Sequence, residues 1–459
     1  MTSLAMAKAF LHRIRALVFM AGWLVLPLAA QQPRLTLQQA VAAALEHNPA
    51  QKLAAADMAA SEAGFQLSKS PLLPQIQFSE TLARGDDPVY AFGTKLRQQR
   101  FQASDFGLNS LNRPSPLSDF TTSFSGRWVA FDSLHTQFQI KRASLLKQGV
   151  AASAGRTGQE VIYRVVDAYE SVLISTREVE VAKHAVETAQ ALHDLSRNRV
   201  DAGLAVESDV LSAKVNLAMR QQELIQAQGT EQTAWVELEG AVGVSLPQGS
   251  EGLEQLAERS FSTLALADEV EQAFKNRPDL KSLGLQVSAQ QAAVKSARSE
   301  FGPRVDAFGS WQTDRQSFAG SGGSNWMAGA ELRVDLLPIE KRSRLQQEKA
   351  SLMRARAGEE SARSMIRVEV SRAYFGHEAA AKMVEVARDS MTQATESMRI
   401  LRNRYDAGLV PLTEVLRAED AERQSQNGYW QAVYRNALSY AALRLATGTL
   451  NEEQVVNFQ

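Results

Sequence analysis

The stretch from Val161 to Asp209 occurs twice in the chain, 205 residues apart, and both copies keep a seven-residue rhythm. In the first copy Val165, Val172, Val179 and Val186 recur every seven positions. Three places after each stands a small residue: Ala168, Ser175, Ala182 and Ala189. The second copy has Val370, His377, Val384 and Met391, with Ala373, Ala380, Ala387 and Ala394. The register then runs into matching turns, Asn198-Arg199-Val200-Asp201-Ala202-Gly203-Leu204 and Asn403-Arg404-Tyr405-Asp406-Ala407-Gly408-Leu409. A period of 3.5 residues marks a helix seam that winds against its neighbours, and small residues let helix axes approach closely. One such stripe is ordinary core. Two stripes in register with two turns imply an internal duplication built of long helical hairpins.

With 459 residues the chain has ample material for a core, yet the long heptad segments favour an elongated architecture over a globule. A formal net charge of −1 gives no reason to expect nucleic acid as a partner. There is no cysteine, which excludes disulfides, thiolate metal sites and lipid attachment through an N-terminal Cys. With few Met besides, a dedicated soft-metal exporter is disfavoured. Lys8, Arg13 and Arg15 precede an apolar run from Ala16 to Ala29 that ends on small residues, the pattern of a secretory signal peptide over residues 1–30 cut near Ala30. The competing reading, an uncleaved anchor, needs a longer run than this one. No later stretch is long and apolar enough for a membrane helix, so an exported chain of this kind would meet a bilayer as strands.

Two repeats follow the signal segment. The first is expected over 31–245, with strands near 75–84 and 120–131 and a helical hairpin over 133–243. A link covers 246–267. The second repeat, 268–448, has strands near 304–313 and 326–336 and a hairpin over 340–447, and 449–459 is a loose C-terminal tail. Each repeat opens with a short amphipathic helix, a break at Asn48-Pro49 or Arg277-Pro278, and a second helix stopped by Pro71 or Pro303. Periodicity then changes from helical to two. Ile76, Phe78 and Leu82 alternate with polar residues; so do Phe120, Phe124 and Trp128, Val305, Ala307 and Trp311, and Trp326, Ala328, Ala330 and Leu332. Strands of about ten residues, apolar on one face and polar on the other, suit a membrane barrel. A half-buried strand of a soluble sheet would read the same, one strand at a time. Between the first two strands lies a long loop, 84–119, and loops of that length usually carry a function or are disordered.

Four amphipathic strands cannot stay open in lipid, because edge amides in hydrocarbon have no partners. A barrel would therefore be completed by further copies of the chain. The fold class expected is mainly α with a membrane β-barrel part, a duplicated helix-strand-strand-helix-helix unit.

The chain resembles the TolC-type outer-membrane efflux protein family over nearly all of its mature length. The resemblance is carried by Leu35-Thr36-Leu37-Gln38-Gln39-Ala40 with Asn48-Pro49, the repeated Asp-Ala-Gly-Leu turns, and Ala441-Ala442-Leu443-Arg444-Leu445-Ala446-Thr447-Gly448. It implies a homotrimer whose twelve strands share one barrel in outer-membrane lipid, continued by a periplasmic helical barrel. It also implies docking onto a periplasmic adaptor protein and an inner-membrane pump. By the same likeness, Asp201, Gly203, Leu204, Asp406, Gly408 and Leu409 form adaptor-docking tips. The family's pore constriction uses two acids just past the second turn. Glu414 matches the first, Arg417 stands in place of the second, and Asp209 is the first-repeat counterpart of Glu414. Rings of Glu414 or Asp209 would favour cations, whereas solvated charges near a turn are the plainer account of the same residues.

An enzyme finds little support. His47, His135, His184, His193 and His377 are scattered, none in an i, i+4 ligand pair, and there is no nucleophile elbow or P-loop. No cofactor is expected. A periplasmic coiled-coil scaffold would share the heptads but leave four alternating strands with Trp and Phe unexplained.

Overall fold

The computed structural model describes residues 35–246 and 256–455. The expected signal segment, residues 247–255 of the link and the last four residues of the tail lie outside the described residues.

Helix α1 (Leu37–His47) begins at a capping box in which Thr36 and Gln39 exchange backbone and side-chain hydrogen bonds of 3.2 and 3.1 Å. Asn48 ends α1 in extended backbone and its side chain accepts from Ala50 N at 2.8 Å, so α2 (Pro49–Ser68) starts at once with Pro in the first turn. Strand β1 (Gln75–Gly85) follows, then helices α3 (Pro88–Arg97) and α4 (Leu108–Asn112), and strand β2 (Leu117–Phe131). The hairpin is α5 (His135–Asp201) and α6 (Glu207–Val242). The second repeat runs α7 (Leu266–Asn276), α8 (Pro278–Ser299), β3 (Arg304–Arg315), β4 (Gly322–Arg333), α9 (Ile339–Asp406) and α10 (Leu412–Ala446). A last turn, α11 (Glu452–Val455), closes the described chain.

The four strands form one antiparallel sheet in the order β1-β2-β3-β4. Because β1 follows α2, β2 leads into α5, β3 follows α8 and β4 leads into α9, the sheet order passes directly into helix order. Next to the sheet α2 packs on α5, α5 on α8, and α8 on α9. Beyond that level α6 packs on α5, α5 on α10, and α10 on α9. The subunit is thus four parallel columns.

The long helices α5 and α9 have 67 and 68 residues, about 100 Å each at 1.5 Å per residue. The other two columns are each spliced from two shorter helices. Asn48 Nδ2 donates to Ala241 O at 2.7 Å, and a Cβ on Gly243 would lie 3.0 Å from Asn48 Cα. In the second repeat Arg277 Nη1 donates to Ala446 O at 3.1 Å, and a Cβ on Gly448 would lie 2.8 Å from Arg277 Cα. The end of α6 therefore abuts the start of α2, and the end of α10 abuts the start of α8. The proline breaks and the terminal glycines of the two repeats are two halves of the same joint.

The main core lies at this level. Val161, Val165, Tyr169 and Val172 of α5 meet Leu37 and Val41 of α1, Leu238 and Val242 of α6, and Tyr440 and Ala441 of α10. Val165, Val172 and Val179 of the α5 heptad are buried and Val186 is half-buried; on α9 Val370, His377 and Val384 are buried. The faces beside that stripe on α9, among them Val368, Phe375 and Val386, are exposed.

Two expectations need correction. The 84–119 loop is not structureless: it holds α3, a 3₁₀ turn at Ala103–Phe106 and α4. The tail is not loose where it is described, since Leu450 and Val455 are fully buried in the main core. The strands, at 11, 15, 12 and 12 residues, run slightly past ten.

Candidate functional site

The end farthest from the sheet is formed by two like turns. In the first, Gly203 N donates to Val200 O at 2.9 Å and Leu204 N to Arg199 O at 2.8 Å. In the second, Gly408 N donates to Tyr405 O and Leu409 N to Arg404 O, both at 2.9 Å. These are paired Schellman closures, and they need a left-handed residue after the helix; Gly203 and Gly408 supply it at φ +73° and +74°. The turn leaves Leu204 and Leu409 outside, 71% and 74% exposed, next to exposed Asp201 and Asp406. Each turn so presents one apolar side chain to solvent beside a carboxylate.

The two turns are tied together by a contact that the repeat pattern does not announce. Arg199 donates through Nη1 to Tyr405 O, and its guanidinium lies 4.8 Å from the centre of the Tyr405 ring. The Tyr405 hydroxyl meets Ser196 Oγ at 3.2 Å, and the ring is buried with Leu192, Ala213, Met398, Leu412 and Val415. The signal was present as a break in the duplication: Val200 in the first copy corresponds to Tyr405 in the second.

The three acid-or-base candidates sit at the same end. Asp209 and Glu414, both half-buried, occupy the first turns of α6 and α10, where carboxylates complement the helix dipole. Arg417 is exposed and donates to Glu414 Oε1 at 2.9 Å. Arg417 therefore pairs with Glu414, and the local charge is balanced within one helix turn.

At the opposite end the sheet has two unlike faces. Phe78, Phe124, Trp311 and Trp326 stand directly opposite one another along the ladder, one per strand, all exposed on one face. The first pair of ring centres is 5.1 Å apart and the second 6.0 Å. Ile76, Trp128, Val305 and Leu332 continue that face toward the helices. The reverse face carries Gln77, Ser79, Thr121, Ser123, Ser125, Gln312 and Asp314. An outward aromatic row above an apolar band, backed by a polar face, is the arrangement of a strand wall between lipid and water. Among the described residues no helix is long and apolar enough to cross a membrane.

A family model described as outer membrane efflux protein matches residues 40–244 and 270–449, most of both repeats. The chain belongs to the outer membrane efflux protein family. It is similar to Protein CyaE of Bordetella pertussis, 25% identical over 434 residues that cover 92% of this chain and 84% of that protein. It is also similar to the alkaline protease secretion protein AprF of Pseudomonas aeruginosa, 21% identical with 95% and 89% covered. Among solved structures, the CmeC outer membrane channel of Campylobacter jejuni shares the fold, with a TM-score of 0.74, 17% identity, and 91% and 86% of the two chains covered. This efflux protein is an outer-membrane channel component of an efflux or secretion system.

A buried charge cluster binds the efflux protein's two hairpins above the turns. Arg220 of α6 is 2% exposed; it donates to Glu223 at 2.7 Å and Asn216 at 3.2 Å, and also to Asp420 of α10. Asn216 in turn donates to the buried Glu419 of α10 at 2.9 Å. Burial pushes the Glu419 carboxyl up, against the opposing pull of Asn216 and Arg220. Among the described residues no group of three or more His, Cys, Asp or Glu is placed to hold a metal ion.

Proposed function

We propose that three copies of this chain close one conduit through the outer membrane, with strands as its wall in lipid and helices as its wall in the periplasm. One observation carries the reading: the same two columns are left open at every level. β1 and β4 are the sheet edges, and α2 with α6, and α9, flank the helical layers without a partner on their far sides. An unpaired strand edge in hydrocarbon loses hydrogen bonds worth several kcal/mol per amide, so the edges need closing. Joining column four of one copy to column one of the next closes strands and helices with a single operation, and head-to-tail contacts of this kind generate rings.

In this reading the turns at Asp201, Gly203 and Leu204 and at Asp406, Gly408 and Leu409 are the periplasmic tips that meet an adaptor protein. The adaptor in turn couples the conduit to an inner-membrane pump. Glu414, with Asp209, gives the narrow end a cation preference that Arg417 moderates. The likeness to an alkaline protease secretion protein favours an exported polypeptide as cargo.

The deciding experiment is the mass of the detergent-purified protein together with its conductance in a planar bilayer. A threefold oligomer with discrete cation-selective steps is expected. A water-soluble monomer without conductance overturns the reading. Loss of one polypeptide from the medium of a deletion strain is expected if the cargo is protein; an unchanged secreted set overturns that part alone.

A further inference from the structure

We infer that the 86–116 excursion is a cap folded into the outer mouth of the conduit, where it sets what can pass. The inference rests on the exit-channel reading. Strand β1 leaves α2 at Gln75 and β2 feeds α5 after Phe131, so the Gly85/Leu117 end of the sheet is the end farthest from the helices. An excursion there could stand outside the barrel, spread over the lipid face, or fold inward. Its contacts choose the last.

The excursion is a small folded unit. Asp87 caps α3 by accepting from Tyr90 N at 2.9 Å, and Gln99 turns the chain at its end with φ 54°. Lys95 pairs with Asp105 at 2.7 Å, and Phe92, Phe101 and Phe106 meet edge to face at 4.7 and 5.1 Å. The seam of α3 is Ala91 and Thr94, continued by Gln98 just past its last turn, spaced i, i+3, i+7 and all buried.

That seam lies on the polar face of the sheet. Gln98 Nε2 donates to Asp119 Oδ1 at 2.9 Å and to Ser118 O at 3.1 Å, and Asn325 Nδ2 donates to Arg97 O at 3.4 Å. A Cβ on Gly323 would fall 1.9 Å from Arg97 O, so β4 keeps a bare backbone where the cap crosses it. Asp119 and Asp314 are 4% and 0% exposed, although both point to the side a water-filled barrel would hydrate. Their oxygens are taken up by Gln98, by Thr121 at 3.1 and 3.2 Å, and by Gln312 at 2.9 Å. Two carboxylates buried on a luminal face need such a partner set, and the cap provides part of it. The aromatic row on the other face stays uncovered. The β3–β4 connection is only a short loop, so each copy brings one cap.

The absence of native cysteine permits a direct test on intact cells with a maleimide carried on a polyethylene glycol chain. Ser123 lies on the polar face one row below Thr121 and Asp314, and Ser317 lies exposed in the β3–β4 loop. Ser317→Cys should react fast in every background. Ser123→Cys should react slowly in the native chain. It should react about tenfold faster when Gln98→Ala and Asn325→Ala remove the anchors, as expected when one or two buried hydrogen bonds leave a two-state equilibrium. Replacing residues 86–116 by a short Gly/Ser turn should raise the rate at least as much. If Ser123→Cys matches Ser317→Cys in the native chain, or if neither cap variant changes its rate, the cap is overturned. An unreactive Ser317→Cys overturns the outer-membrane reading instead.

Discussion

Gly203 and Gly408 hold a backbone region that a residue with a branched Cβ reaches at a cost of about 1–3 kcal/mol. Gly203→Val or Gly408→Val is therefore expected to distort one tip while sparing the core, and the second also brings its Cβ within 3.3 Å of Arg199 Nη2. The check is cross-linking to the adaptor; wild-type levels would remove the tips from docking. Glu414→Ala should lower cation selectivity in single-channel recordings, and Arg417→Ala should raise it, because Arg417 spends its charge on Glu414. Glu419 supplies a pH prediction. Its folded pKa is raised, chiefly by burial, so the folded protein binds this proton more tightly than the unfolded chain does. Its contribution to stability is then greatest below the ordinary Glu value and falls as pH rises through the raised one. Glu419→Gln should flatten that part of the curve of melting temperature against pH; an unchanged curve would exclude Glu419 as its source.

At the level of elements, the sheet is two surfaces in one ladder. Phe124→Arg places a guanidinium on the aromatic face, where an Arg costs about 2–4 kcal/mol at the bilayer midplane and less toward its edges. Ser125→Arg places the same group on the polar face. The first should reduce the yield of membrane-assembled protein and the second should not, as read by heat-modifiable gel migration; equal yields would mean that the faces are misassigned. These strands were legible in the sequence because alternation is a local signal. The long helices were legible because heptads extend over many turns. The folded excursion was not. Its helices of ten and five residues are too short to be stable alone; the first is held by contacts of Arg97 and Gln98 with Asp119, Asn325 and Gly323, distant along the chain, and the second packs on the first. The tie between Arg199 and Tyr405 was hidden for a similar reason, since it bridges two hairpins 206 residues apart. Residue types at the tips could be read from the turns, but their contacts could not.

For the whole molecule, the proposed ring of copies would place its subunit contacts on the exposed side chains of the outer columns. Leu211, Val215 and Met219 recur every fourth residue on α6, and Val368 and Phe375 keep the seven-residue spacing on α9. Burying one such side chain is worth about 1.5–3 kcal/mol. Val215→Lys with Met219→Lys should therefore shift the detergent-purified protein from oligomer toward monomer at unchanged helix content, as measured by light scattering and circular dichroism. An oligomer of native strength would place the contact elsewhere.

The joints at Gly243 on Asn48 and Gly448 on Arg277 have a mechanical consequence. Two of the four columns change helix at mid-height, while α5 and α9 pass that level without interruption. Swinging the lower hairpins relative to the sheet would open or slide the butted ends at little covalent strain, whereas the uncut helices would have to bow. Each subunit thus alternates fulcrum and spine, and any dilation of the far end is expected to pivot at the height of Asn48 and Arg277.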